Sequence, residues 1–140
     1  MEKSRFDAYI RRFNAEDPTV FDEYLAPDMK MLNGSLVFTG VAGMRDHYEN
    51  KMWPYFRESL TVERFVSSDT VLAVKMWTHF AARGDALTVF GPVVKGETFD
   101  FRGLILYDIV DGRFTTITVA YNSFSHTKAD GRVIEMGIPH

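Results

Sequence analysis

The sequence contains no cysteine. That absence excludes a disulfide scaffold, a thiolate zinc ribbon and a thiol nucleophile. Positive charge is not in excess either: 16 Lys and Arg stand against 19 Asp and Glu, for a formal charge of −3. No basic field is therefore available to draw nucleic acid or an anionic lipid surface. No apolar run approaches the roughly 20 residues that cross a bilayer, and Met1-Glu2-Lys3-Ser4-Arg5 leads into an amphipathic segment instead of a signal-peptide core. The expectation is a cytoplasmic protein with no nucleic-acid and no membrane partner. Repeats, low-complexity tracts and linker-like stretches are also missing, so residues 1–140 are expected to form one domain. What the chain does have is aromatic side chains: 12 Phe, 6 Tyr and 2 Trp in 140 residues, within a 46% hydrophobic composition that is too apolar for disorder.

Periodicity orders the chain into helices first and strands afterwards. Phe6, Tyr9, Ile10 and Phe13 fall at i, i+3, i+4 and i+7 of one helical face, with Ser4 as the expected N-cap. Asp17-Pro18 is a second start signal, and Val20, Phe21, Tyr24 and Leu25 continue that helix to Pro27. Asn33-Gly34 joins two short strands, Met29 to Leu32 and Leu36 to Thr39, as a hairpin. A third helix is expected over Gly40 to Lys51, ending near Trp53-Pro54. Strands are expected at Leu60 to Ser67, Val71 to Ala82, Thr98 to Val110 and Phe114 to Phe124, the last two joined at Asp111-Gly112. Ser125 to His140 is expected to be a short extra strand or a tail. The sum is an α+β fold in which three N-terminal helices pack on one face of a curved, mostly antiparallel sheet, a cone with an open mouth.

Three short stretches carry a family likeness: Tyr24-Leu25-Ala26-Pro27-Asp28, Thr39-Gly40-Val41-Ala42-Gly43-Met44 and Asp111-Gly112-Arg113-Phe114. In their order and spacing, over residues 5–124, the chain resembles the nuclear-transport-factor-2-like (NTF2-like), or SnoaL-like, superfamily, and within it the SnoaL-like polyketide cyclases. The resemblance implies the cone and a homodimer formed through the sheets. It also implies one of several activities, since this fold hosts isomerases, dehydratases, cyclases, epoxide hydrolases and non-catalytic binders. The specialised catalytic sets do not carry over. The dehydratases' His–Asp dyad would fall on Asp17 and Thr61, and Thr61 cannot take a proton near neutral pH. The cyclases' acid/base Asp falls on Asn122 or its neighbour, and an amide can only hydrogen-bond a developing enolate oxygen. Of the epoxide hydrolases' Asp-Arg-Asp only Asp100 and Arg102 are present, on one strand, where they are expected to neutralise each other.

Side-chain alternation then sorts the polar residues. On Val71 to Ala82 the better core face is Val74, Met76, Thr78 and Phe80, which leaves Trp77 and His79 outside at the expected dimer face, with ligand contact as the alternative for His79. Glu63 is either inside the cone, where desolvation would raise its pKa and make it a general acid or base, or on the surface paired with Arg64 or Lys75. Tyr121 and Asn122 face opposite ways, so one of them is a pocket donor. The candidate catalytic residues are therefore Glu63, Tyr121, Asn122 and His79, with Tyr107 as a further donor. Tyr24, Tyr55, Phe56, Met76, Phe101 and Tyr107 are the candidate ligand-binding wall. Gly103, between Phe101 and Ile105, leaves room for a ligand or a bend. The four histidines, His47, His79, His126 and His140, show no ligand spacing, and no phosphate-binding glycine loop follows a strand, so neither a metal nor a cofactor is expected. The expected partner is a small hydrophobic molecule. The expected role is a cofactor-independent isomerase, cyclase or dehydratase, or a non-catalytic binding or dimerisation module of the same fold.

Overall fold

The computed structural model describes residues 1–137, and His140 lies outside them. The element order is α1 (Lys3–Asn14), α2 (Thr19–Tyr24), β1 (Leu25–Asn33), β2 (Leu36–Thr39), α3 (Gly40–Arg45), β3 (Phe56–Ser67), β4 (Val71–Ala82), β5 (Ala86–Thr88), β6 (Gly91–Val93), β7 (Thr98–Val110), β8 (Arg113–Thr127) and β9 (Val133–Glu135). After Arg45 the third helix does not stop but widens. Asp46–Met52 is wound with π-type turns, and the Trp53 N–H reaches back five residues to Tyr48 O at 2.8 Å. The first helix begins at Lys3, so Ser4 lies inside its first turn instead of capping it. Asp17 does act at the head of α2: its carboxylate accepts from the Thr19 N–H at 3.0 Å and from the Arg12 guanidinium at 2.8 Å.

The main sheet runs β2-β1-β8-β7-β4-β3, with β9 paired to β8. Every pairing is antiparallel except β1 with β8. The extra strand expected after Ser125 is thus β9, and β5 and β6 form a small separate hairpin between β4 and β7. Three register shifts bend the long strands: one between Val62 and Arg64 of β3, one between Arg102 and Gly103 of β7 opposite β8, and one between Asp108 and Ile109 of the same pair. At the second, Gly103 meets Tyr121 and Ala120 so closely that a Cβ would overlap the Tyr121 Cα and the Ala120 carbonyl. Its missing side chain therefore serves the bend and not a ligand. Among the described residues no helix is long and apolar enough to cross a membrane.

The aromatic excess divides into two clusters. Under the helices, Phe6 and Tyr9 pack edge-on against Phe114 and Tyr107, while Phe13 and Phe21 pack against Trp53. At the other end of the sheet Phe56, Phe80, Phe99 and Phe124 close around Phe90, which the β5–β6 turn drops onto them. Such ring pairs stabilise by about 0.5–1.5 kcal/mol each beyond the area they bury. The two clusters do not merge into one solid core.

Candidate active site

Between the clusters lies a cavity of about 350 Å³, at the lower end of the range of small-molecule sites. Its floor is the inner parity of the sheet, from Thr78 and Phe80 of β4 through Phe101, Ile105 and Tyr107 of β7 to Tyr121 and Phe124 of β8. Tyr9 and Phe13 of α1 and Met44, His47, Tyr48 and Met52 of the third helix form its roof. Exposure grades along the wall: Leu36 and Val89 are 39% and 51% exposed, whereas Glu58 is 3% exposed. The mouth therefore lies by the β1–β2 and β5–β6 turns, and Glu58 belongs to the inner end.

Glu58 is the carboxylate of this wall. It stands on β3 opposite Phe80, two residues before Leu60. The outer edge of β3 is pinned there by Asn14, whose amide accepts from the Leu60 N–H at 2.8 Å and donates to the Leu60 carbonyl at 3.0 Å. That clamp joins the end of α1 to the strand and fixes which way Glu58 points. One carboxylate oxygen, Oε2, is buried with no hydrogen-bond partner. Burial first, and the nearby Glu16 charge second, push the Glu58 carboxyl up to about 8. At pH 7 it is largely protonated, and it exchanges its proton within the physiological range.

Its neighbours are phenols and one imidazole. Burial and the Glu58 charge push the Tyr9 and Tyr48 hydroxyls up, and burial with the nearby Tyr9 does the same to Tyr107, so all three stay protonated and able to donate. His47 lies against Phe38 with ring centroids 5.0 Å apart and edge-on to Tyr48 at 4.9 Å. Burial, aided by the Lys51 charge, pushes its imidazole down to about 4, so it faces the cavity neutral at pH 7. The arrangement can give a proton, accept one, and hold a developing enolate or alkoxide oxygen in a site poor in water.

Several expected site residues lie elsewhere. Glu63 points outward, between Lys75 at 3.1 Å and Arg102 at 3.1 Å. Of its two readings the surface pair with Lys75 holds and the one inside the cone, as acid or base, does not: Glu63 is the extra residue of the β3 bulge, between Val62 opposite Met76 and Arg64 opposite Lys75, and past it Phe65 turns inward. Asn122 is exposed, squeezed out where β8 bulges opposite Arg102 and Gly103, while Tyr121 is the member of that pair that lines the cavity. Its hydroxyl is also pushed up by burial. Phe101 and Tyr107 line the cavity as expected. Tyr24, Tyr55, Phe56 and Met76 do not. Tyr24 is sealed under α1, donating to Arg5 O at 3.1 Å with the Arg5 guanidinium over its ring, and Phe56 and Met76 share the inner parity of their strands but are buried in the two hydrophobic clusters. Tyr55 packs beside the Phe56 cluster just after the third helix.

His79 is on the outer face, where it and Trp77 both meet Asp100: Trp77 Nε1 donates at 2.7 Å and His79 Nδ1 lies 2.7 Å away. Asp100 thus pairs with its cross-strand neighbours and not with Arg102. The guanidinium of Arg102 instead covers the Trp77 ring at 4.4 Å and reaches Glu63. A separate buried set, Glu97 with His126, Lys128 and the Val94 N–H, ties the β6–β7 loop to β8. Burial raises the Glu97 carboxyl, but these hydrogen bonds outweigh it and hold the group below the ordinary carboxylate range. Among the described residues no group of three or more His, Asp and Glu is placed to hold a metal ion.

Glu58 was missed because the strand was expected to begin at Leu60, and it begins at Phe56. A signal was present. Phe56, Glu58, Leu60 and Val62 share one parity, and a carboxylate between apolar side chains on an inward-facing parity marks a desolvated group.

Residues 6–117 match the family model for a SnoaL-like domain. No curated protein matches the chain. A proposed polyketide cyclase from Xanthomonas campestris pv. campestris superposes with a TM-score of 0.70 at 24% identity, over 84% of this chain and 87% of that one. A computationally designed 17-OHP binder gives 0.66 at 16% identity, over 83% and 88%. An LEH-like epoxide hydrolase from M. tuberculosis gives 0.62 at 12% identity, over 84% and 79%. At these identities the superpositions establish the fold alone.

Proposed function

We propose a function on the premise that this chain belongs to the SnoaL-like domain family, which its match over residues 6–117 establishes. The protein acts as a cofactor-independent isomerase, cyclase or dehydratase on a small hydrophobic molecule carrying a carbonyl group. The observation that carries this reading is Glu58, a buried carboxyl on the cavity wall with an unpartnered oxygen. In its ionised form it takes a proton from the carbon beside the carbonyl, and the electron pair moves to the carbonyl oxygen. Phenols of the cavity, among them Tyr48 and Tyr9, whose hydroxyls feel the Glu58 charge, donate to that oxygen. Return of the proton from the Glu58 carboxyl to another carbon completes an isomerisation; in a β-hydroxy ketone the enolate electron pair instead forms the C=C bond as the β-carbon–oxygen bond breaks, and the Glu58 proton leaves with the hydroxyl as water, completing a dehydration. Carbon-13 NMR of the Glu58 carboxyl tests the assignment. Titration near 8 is expected, and a midpoint near 4.5 would remove Glu58 from the role.

A second reading, a non-catalytic binder with the same cavity, is supported by the mostly apolar wall, from Phe101 and Ile105 to Met44. Binding of small ketones without any exchange of their α-protons into deuterated water would favour it. In either case a homodimer through the outer sheet face is part of the proposal. That face carries exposed Leu104 and Leu106 beside the Trp77–Arg102 pair. Sedimentation at micromolar concentration is expected to give a dimer that Leu104→Glu converts to monomer, and a monomeric wild type would refute it.

A further inference from the structure

We propose that the cavity takes a ketone with a flat apolar body and a hydroxyl at its outer end, the hydroxyl bonding the Asn33 amide while the carbon beside the carbonyl faces Glu58. This rests on the acid/base reading of Glu58 for the carbonyl end and on an independent observation for the other. Asn33 closes β1, paired to Leu36 across the hairpin and to Val119 of β8. Its side chain lines the cavity beside Leu36 at the mouth, and its Oδ1 is buried without a hydrogen-bond partner.

A buried amide oxygen left unmade costs about 1–3 kcal/mol, and buried polar groups in folded proteins are nearly always paired. Among the described residues two such orphan atoms belong to the cavity wall, Glu58 Oε2 and Asn33 Oδ1, while the third, Trp53 Nε1, does not. They mark its two ends. In the sheet order, β8, β7 and β4 lie between β1 and β3, so four pairings at about 4.8 Å each separate the two strands around the curve. Between them the wall is Val119, Ile105, Phe101 and the ring face of Tyr121, which suits an apolar and largely flat body. A hydroxyl is the group that fits Asn33. It both donates and accepts, so it satisfies the amide whichever of its two ends turns toward the ligand.

The probes are 4-(4-hydroxyphenyl)butan-2-one, its deoxy analogue 4-phenylbutan-2-one and its methyl ether, titrated by calorimetry. One hydrogen bond makes the hydroxyl compound bind wild type about fivefold more tightly than the deoxy compound. Asn33→Leu is expected to bring that preference below about twofold while leaving deoxy binding within about twofold, on the same single-bond scale. Asn33→Ala, read the same way, serves if the leucine variant does not fold. Equal hydroxyl preference in wild type and variant overturns the proposal, as does failure of wild type to bind either ketone at millimolar concentration. Failure of the acid/base reading looks different: α-proton exchange is then the same in Glu58→Gln as in wild type, with the hydroxyl preference intact.

Discussion

Glu58 and Glu63 sit five residues apart on the same strand and live in opposite electrostatic worlds. Glu58 faces inward among phenols and rings, with one oxygen unpartnered and its carboxyl pushed up to about 8. Glu63 faces outward between Lys75 and Arg102, where it is reached by water and paired with two cations. Identical chemistry on one strand is thus split by parity. The inner group has reactivity and a stability cost, whereas the outer one belongs to a surface lattice with Trp77, Asp100 and His79.

The sharpest way to break that contrast is to neutralise each carboxylate in turn. Glu58→Gln is expected to lower α-proton exchange of 4-phenylbutan-2-one by about 10²- to 10⁴-fold, the usual worth of a positioned acid/base group. Glu63→Gln should stay within about twofold of wild type, since a surface pair is worth at most about 1 kcal/mol and lies outside the cavity. NMR-detected deuterium uptake measures both, and equal losses in the two variants would erase the distinction.

The next effect is on stability. Because burial raises the Glu58 carboxyl from 4.5 to about 8, the folded state favours the protonated form. Its contribution is complete below pH 4.5 and falls as the unfolded chain ionises, until the decline ends once pH passes about 8. The loss is on the order of 5 kcal/mol. Thermal denaturation between pH 5 and 9 should show a falling Tm in wild type that Glu58→Gln flattens and Glu63→Gln does not. A wild-type slope retained in Glu58→Gln would assign the dependence to another group.

Gly103 tests the geometry that lets inner and outer faces differ. Gly103→Ala forces a methyl into the Tyr121 and Ala120 backbone of β8, and a loss of about 2–4 kcal/mol in chemical denaturation is expected, in the range of other steric overpacking and backbone strain. A loss below about 0.5 kcal/mol would mean the strands separate there at little cost. The smallest effect expected is on the outer lattice: Glu63→Gln should change unfolding free energy by less than about 1 kcal/mol, and less still at high salt.

Much of this architecture was legible in residue order. The helical face Phe6, Tyr9, Ile10 and Phe13, the Asn33-Gly34 and Asp111-Gly112 turns and the inner parity Val74, Met76, Thr78 and Phe80 are all local patterns, and the structure realises each. The outward placement of Trp77 and His79 followed from the same alternation. The site was legible in kind but not in address. A desolvated carboxylate was one of two readings of Glu63, and the structure has one at Glu58 instead, because the strand starts four residues earlier than the pattern announced. Tyr24 and Met76 have the composition of a cavity wall yet are core, since nothing in sequence separates a ring facing a void from a ring facing another ring.

The sequence by itself determined the α+β order, the turns, the two-sided strands and the exclusion of thiol chemistry, all of which depend on neighbours a few residues apart. Only the tertiary structure decided which carboxylate is dry, where Asn122 and Gly103 sit relative to the bulge, and that the aromatic clusters leave a cavity between them. These depend on register and on packing across distant strands, and a one-residue slip reverses every side chain's face.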